Sequence, residues 1–544
     1  MPKLFALMFF AFSCFFRGYA QIELNSSNLP IVVINTNGQE IPNDPKIPAD
    51  MGIIYNGVGI RNSISDPFNE YNGKIAIEIR GQSSQMFPMK SYSVDLKKAS
   101  GSSLDAPLLG MPRESDWVLY APFTDKTLMR NFLAYTMSRE LGRWASNCRF
   151  VEVVLNGDYK GVYVLMEKIK RNASRVNITK IAATDNSGDA LTGGYIFSLD
   201  KEPDGWFSSY PTPNSNYKDF RQFSFVTPKL ADISTEQMAY IKSYVDSFEL
   251  ALAGPDFQDP VKGVRRFAEL PSFIDYFFVN EISRNVDGYR LSSYFHKNRN
   301  SVNGKIIAGP VWDYDLAFRN ADYCHGSYIQ GWAYQFNNVC GGDQAGLIPF
   351  WWERLMVDTA FLSNLRCTWK RYRQQSFSNN RFLEIIDSVY TLLGESSQRH
   401  FQRWPILGTY VWPNPSPIPT SYAEEISSLK TWITQRLAWL DGNMPNKGAC
   451  ADWPVDAAGS LVLTAYPNPF EGNGLNVKVR SKFKQNILYE VFDMSGRKLD
   501  KRNIDLQTGE NSVAMNADRW PAGVYLIRIS NSSGELMKTR IVKY

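Results

Sequence analysis

Histidine is almost missing from this chain: His296, His325 and His400 are the only three in 544 residues. A zinc centre built from several imidazoles is nearly excluded, and a His-dependent hydrolase would have to use one of these three. Any metal site is expected to rest on carboxylates, amides and water. Cysteine is sparse, with six residues and no C-x-x-C pair, which argues against a thiolate metal site. Neither sign of charge dominates. The 59 basic and 54 acidic residues leave a net charge of +5, too balanced to argue for nucleic acid or an acidic membrane surface. After the N-terminus no run of eighteen apolar residues occurs, so no transmembrane segment is expected in the mature chain.

What is present begins with a secretory signal. Lys3 supplies the positive start, Leu4–Phe16 is an apolar run too short to span a bilayer, and Gly18-Tyr19-Ala20 offers small residues for cleavage. Residues 1–20 are therefore expected to be a signal peptide, with Gln21 opening the mature protein. Export places the cysteines in an oxidising compartment. Without Cys14 five remain, so at least one thiol is left over within the chain. Cys324 and Cys340 bracket a short Gly, Asn and aromatic loop and are the first choice for a disulfide. The length implies two to four domains, and an aromatic share of 14% suits either a large core or stacking surfaces.

The first half reads as strands around one helix. Apolar runs at Pro30–Ile34, Lys74–Arg80, Ser91–Leu96 and Asp116–Tyr120 are strand-like. Asp125 looks like the N-cap of a helix from about Lys126 to Leu141, with Met129, Leu133, Met137 and Leu141 facing a core; Arg130 and Glu140 lie off that stripe, where most charges are solvated, with pairing of one of them to an active-site group as the alternative. Phe150–Leu155 and Gly161–Glu167 flank Asn156-Gly157, a strong hairpin signal. Residues 168–190 and 202–223 read as loops, with a strand at 193–200 between them. Helices are expected over 235–252, 270–283 and Ala423–Leu440, and most of 350–445 is helical with Trp-rich turns, one at Trp351-Trp352. This order suits an α+β domain of two lobes around a cleft. Residues 446–462 read as a linker, and short alternating runs from Leu463 onward as a small all-β sandwich.

The stretch 280–319 carries the chemistry. Asp287 sits in a polar turn after an apolar segment, and Asp313 and Asp315 follow the strand-like run Lys305–Val311. Carboxylates brought together from two loops can hold a divalent metal, with one placed to accept a proton. The plainer alternative is that Asp287 caps a turn and the Trp312–Asp315 group punctuates a strand end.

Residues 22–445 resemble the CotH (spore-coat protein H) kinase-like family. The matching motifs are Arg80-Gly81-Gln82-Ser83-Ser84 with Phe87–Tyr92, Asp125–Asn131, Asn156–Tyr163 with Glu167, Asn285-Val286-Asp287, and Pro310–Asp315. The resemblance implies a two-lobed protein-kinase-like fold using ATP with Mg²⁺ or Mn²⁺. It implies Asp287 as catalytic base, Asp313 as metal ligand with Asp315 as a second, and Arg80, Lys90 and Glu167 at the nucleotide. The acceptor would be a Ser or Thr hydroxyl of a surface or extracellular protein; the alternative is a catalytically degenerate surface protein acting in adhesion or matrix assembly. Kinase-type loops carry a metal-binding Asn five residues after the Asp; here that position is Ser292.

Residues 463–544 resemble the type A sorting domain of type IX secretion, found in Bacteroidetes, on Ala465–Phe470, Val491–Arg497, Pro521–Tyr525 and the basic ending Lys538–Tyr544. That implies an immunoglobulin-like sandwich read by the secretion machinery, and a secreted or outer-surface location.

Overall fold

The computed structural model describes residues 22–201, 203–213, 220–340, 346–445, 450, 461–466, 468, 470–472, 475–481, 484–493, 497–518, 520–531 and 536–543. The expected signal peptide, and nearly all of the expected linker, lie outside these residues. The chain divides into two compact units, Met1–Cys450 and Ala451–Tyr544.

The first unit is α+β. Seven strands close into a barrel in the order Cys148–Leu155, Asp158–Glu167, Asp116–Tyr120, Ser91–Lys97, Tyr71–Arg80, Ile47–Ile54 and Ile31–Asn35. Neighbours run antiparallel except at the seam, where Ile31–Ile34 pairs in parallel with Glu152–Leu155. Closure leaves no free edge, and the buried residues Ile53, Ile77, Val94, Leu119, Val151 and Leu165, which share one face of the wall by register, fill the interior. The Asn156-Gly157 turn places both residues at positive φ, as a two-residue hairpin with right-handed strand twist requires.

The helix beside the barrel spans Arg130–Glu140, four residues shorter at its start than its apolar spacing implies. Asp125 is the reason. Its carboxylate accepts the Thr127 and Arg130 N–H groups at 3.1 and 2.8 Å and the Arg130 guanidinium at 2.5 Å. That wraps a turn in which Leu128 takes φ 63°, a left-handed geometry that a helix cannot contain. Arg130 is consequently buried and paired with Asp125, unlike most charges that lie off an apolar stripe.

The second part holds a five-stranded antiparallel sheet, ordered Phe207–Pro211, Phe220–Thr227, Tyr195–Leu199, Ser293–Lys297 and Ile306–Ala308. Two of these strands fall within or across 202–223, read from sequence as a loop. Ser, Tyr and Pro sit acceptably in the outermost strand, where Pro211 leaves no central ladder bond unmade. The helix Leu270–Ser283 is buried at every position except Pro271, and its buried Asp275 and Glu281 accept from Arg143 and Arg436. It packs against the Arg130–Glu140, Thr359–Arg373 and Tyr422–Asn443 helices and the strand Ile306–Ala308. Trp351-Trp352 opens a short helix, Trp351–Leu355, with both indoles buried. Helix burial, not an exposed turn, accounts for that aromatic pair.

Disulfides join Cys324 to Cys340 and Cys367 to Cys450, and Cys148 is a buried thiol. No helix among the described residues is long and apolar enough to cross a membrane. The second unit is all β. A three-stranded and a four-stranded antiparallel sheet share one core formed by Val477, Val479, Ile487, Tyr489, Ile527 and Ile541, among others.

Candidate functional site

The buried helix Leu270–Ser283 ends at Arg284, which takes φ 47° and turns the chain out of the helix. The turn that follows presents Asp287, whose N–H is held by the Asn285 side chain at 3.2 Å and whose carboxylate lies 3.6 Å from the Arg290 guanidinium. From the other direction, the strand Ile306–Ala308 leads into Trp312-Asp313-Tyr314-Asp315, where Asp313 has φ 65°. A left-handed Asp must be held by its surroundings. Here the Arg130–Glu140 helix does so. The Asp313 N–H donates to the Tyr135 hydroxyl at 3.1 Å, and the Tyr314 N–H donates to Asn131 Oδ1 at 2.6 Å. Trp312 stacks on Tyr135, and Arg80 lies 5.4 Å over the Trp312 ring.

These elements enclose a cavity of about 460 Å³, lined by Arg80, Asp287, Asp313 and Asp315 together with the Gly81–Ser84 loop, Asp200 and Lys201. Its walls are Val118, Tyr120 and Met166 from the barrel and Ser198, Ser224, Val226 and Tyr294 from the sheet. Phe87, Phe123, Trp412 and Pro413 line it as well.

The electrostatics follow from crowding carboxylates where water is scarce. Burial raises the Asp313 carboxyl above the usual range, with Lys201 opposing that rise. Asp315 is raised well above it by burial and then by Asp313, Asp287 and Asp125. Asp200 is raised by burial, and its carboxylate takes the N–H groups of Lys201 and Ser292. The negative charge on Asp313 opposes ionisation of Asp315 beside it, as two carboxylates sharing one site do. Among the described residues, no three or more His, Cys, Asp or Glu side chains gather as a cage for a metal ion. A hard cation that keeps its water needs less. Mg²⁺ is commonly held by one or two carboxylates and completed by phosphate oxygens. The Asp313 and Asp315 carboxyls, with the Ser292 hydroxyl 3.5 Å from Asp313 Oδ2, fit that requirement.

Lys90 and Glu167 are not brought into the cavity. Lys90 Nζ donates to the Gln85 carbonyl at 2.5 Å, and Glu167 is buried, accepting the Asn147 N–H and side-chain amide at 3.0 and 2.8 Å. Their neighbours Met89, Ser91 and Met166 line the cavity instead, as expected where alternate residues of extended chain face opposite ways. Asp200, Lys201, Asn131, Tyr135 and Trp412 are the residues that sequence reasoning missed. An Asp-Lys pair after an apolar strand reads like any turn, and Asn131 carries a signal only through its place in the Asp125–Asn131 motif.

Residues 464–543 match the secretion system C-terminal sorting domain, which implies export to the cell surface or beyond. Among curated proteins, none matches the chain. Residues 77–440, well over half of the length, match the CotH kinase protein model. That span takes in Arg80, the Arg130–Glu140 helix, Asp287 and the Asp313–Asp315 loop, and the chain belongs to the CotH kinase protein family.

Proposed function

We propose that this chain is an exported, kinase-like phosphotransferase. It would move the γ-phosphoryl group of Mg-ATP or Mn-ATP to a Ser or Thr hydroxyl of a protein at the cell surface or outside the cell. The observation that carries the reading is the meeting of Asp287, Asp313 and Asp315, from two separate loops, at one cavity that Arg80 also lines. In this reading the barrel with its helix is one lobe, the sheet with its helices is the other, and the cavity is the cleft.

Asp313 and Asp315 would hold the divalent cation, whose charge offsets that of the phosphate oxygens. Arg80 and Lys201 add positive charge at the same cavity, the part that the family resemblance implies for Lys90. Asp287 orients the acceptor hydroxyl and takes its proton as the new O–P bond forms and the bond to the departing ADP oxygen breaks. The walls of Val118, Met166, Ser224 and Val226 suit a nucleobase. The signal peptide and a type IX address, on an immunoglobulin-like sandwich in a Bacteroidetes cell, complete the proposal. Incubating the purified full chain with labelled ATP, Mg²⁺ or Mn²⁺ and surface-protein extract tests it. Label transfer that Asp287→Ala abolishes is expected, and no transfer, or transfer that survives the substitution, refutes it.

One observation favours a second reading, a non-catalytic surface protein on this scaffold. The loop position that would carry an amide ligand is Ser292, whose hydroxyl reaches only to 3.5 Å from Asp313. Metal-independent nucleotide binding, or none, supports that reading.

A further inference from the structure

Large rings are normally buried, yet the segment after Asp313–Asp315 and the loop packed on it leave several in solvent. Tyr328 and Tyr410 are each 53% exposed and Trp412 is 40% exposed. Their faces are set in pairs. Trp412 lies parallel to Tyr323, at 3° with centroids 6.0 Å apart, and Tyr328 lies parallel to His325, at 2° and 4.6 Å. The exposed Asp322 stands among them, its carboxylate accepting the Tyr410 hydroxyl at 2.8 Å.

The backbone beneath these rings is tied down. The Asp322 N–H donates to the Pro413 carbonyl at 3.0 Å, and Arg319 donates to the carbonyls of Pro415 and Pro417 at 3.3 and 2.7 Å. The Trp432 indole donates to the Ser327 carbonyl at 2.8 Å, and the Cys324–Cys340 disulfide closes the segment. Rings fixed in advance lose little freedom when a ligand lands on them.

Charge and shape narrow the ligand. Arg319 is turned toward carbonyls and Asp322 is the one acidic side chain in 322–328 and 410–413, so the strip lacks the cationic rows that nucleic acid needs. Protein hot spots set their rings in closed, desolvated pockets. These rings instead lie on loop backbone, partly in solvent, Trp412 paired with Tyr323 and Tyr328 with His325, and the Asp322 carboxylate accepts the Tyr410 hydroxyl. Flat apolar faces beside a hydrogen-bond acceptor suit a ring that is apolar on its faces and hydroxylated at its rim. Trp412 also lines the cavity, so the strip continues into it.

We infer that residues 322–328 and 410–413 form a carbohydrate-binding strip. Pyranose rings of a weakly charged glycan lie on Tyr328, Tyr410 and Trp412, with hydroxyls reaching Asp322, and Trp412 marks the end nearest the catalytic cavity. The strip does not depend on phosphoryl transfer and can be tested without nucleotide. The full chain is titrated by calorimetry with cellohexaose, mannohexaose and chitohexaose in turn. Binding of at least one is expected, weakened about tenfold by Trp412→Ala, the loss of one ring contact. Trp412→Phe keeps a flat ring and retains most of the affinity, which separates a lost contact from a damaged loop. Tyr410→Ala weakens binding independently. No binding by any of the three, or binding that Trp412→Ala and Tyr410→Ala leave unchanged, overturns the inference. So does saturable binding of an aromatic-rich or proline-rich peptide in the absence of glycan binding.

Discussion

Removing one oxygen atom from Tyr135 asks whether the Arg130–Glu140 helix sets the geometry of the Asp313–Asp315 loop. The ring is fully buried and stacks on Trp312, so Tyr135→Phe preserves shape and packing. It removes the acceptor of the Asp313 N–H, now 3.1 Å away, in a residue already held at φ 65°. An amide left without a partner in this setting costs about 1–3 kcal/mol. The loop can recover that energy only by moving, which displaces the Asp313 carboxylate. If the cation must be met by Asp313 where it now stands, the same energy appears as a roughly 5- to 150-fold loss of metal-dependent nucleotide affinity. The assay is calorimetric titration of ATP with Mn²⁺ into the full chain, beside Asp313→Ala. Unchanged affinity in Tyr135→Phe, with binding abolished in Asp313→Ala, would refute the argument that this helix positions the loop. Loss in Tyr135→Phe that also appears in metal-free nucleotide binding would refute it differently, by showing general damage to the cavity.

Three other perturbations are as direct. Glu249 is fully buried between Ser208 and Trp351, and burial, outweighing their hydrogen bonds, pushes it up to about 7 from its ordinary 4.5. The folded protein therefore binds more protons than the unfolded chain between those values. Stability is fully present below the lower value and falls as pH rises through the upper, by on the order of 3 kcal/mol. Melting temperature should drop from about pH 5 to about pH 8 in wild type and less so in Glu249→Gln, and parallel curves would sink the assignment. Asp125→Ala leaves the buried Arg130 guanidinium without its carboxylate, at about 3–5 kcal/mol. Asp125→Leu with Arg130→Met should recover much of that in denaturant unfolding. Ser292→Asn places an amide at the loop position beside Asp313. Ser292 has φ 46°, a region Asn tolerates better than Ser, so the fold should hold while Mn²⁺ binding tightens; weaker binding would show that the position does not face the cation.

Local chemistry made much of the architecture legible. Alternating apolar residues marked Ser91–Lys97 and Asp116–Tyr120, and Asn156-Gly157 marked its hairpin, because those signals lie within a few residues of one another. Barrel closure was not legible, since it depends on a parallel pairing between Ile31 and Glu152, far apart in the chain and without a local signature. The start of the helix at Arg130 was hidden for a related reason. Asp125 is an apt cap for either a helix or the tight turn it makes, and only the buried Arg130 decides between them.

The same limit governs the site. The motifs name Asp287, Asp313 and Asp315, which line one cavity, yet a motif names residues without saying which way each side chain points. In extended chain that direction reverses at every step. Met166 lines the cavity and Glu167 turns to Asn147; Met89 and Ser91 line it and Lys90 turns to Gln85. A charged residue inside a motif is therefore only half an assignment until the face of its strand is known. Asp200 and Lys201 enter the site through the opposite failing. They follow a strand whose cross-strand partner, Tyr294, lies nearly a hundred residues away, and that pairing brings them to Ser292 and Asp313. If the cavity works as a phosphoryl-transfer site, its positive charge comes from Arg80 and Lys201. Lys201→Ala should then weaken nucleotide binding more than Lys90→Ala does, and the reverse order would return the phosphate contact to Lys90.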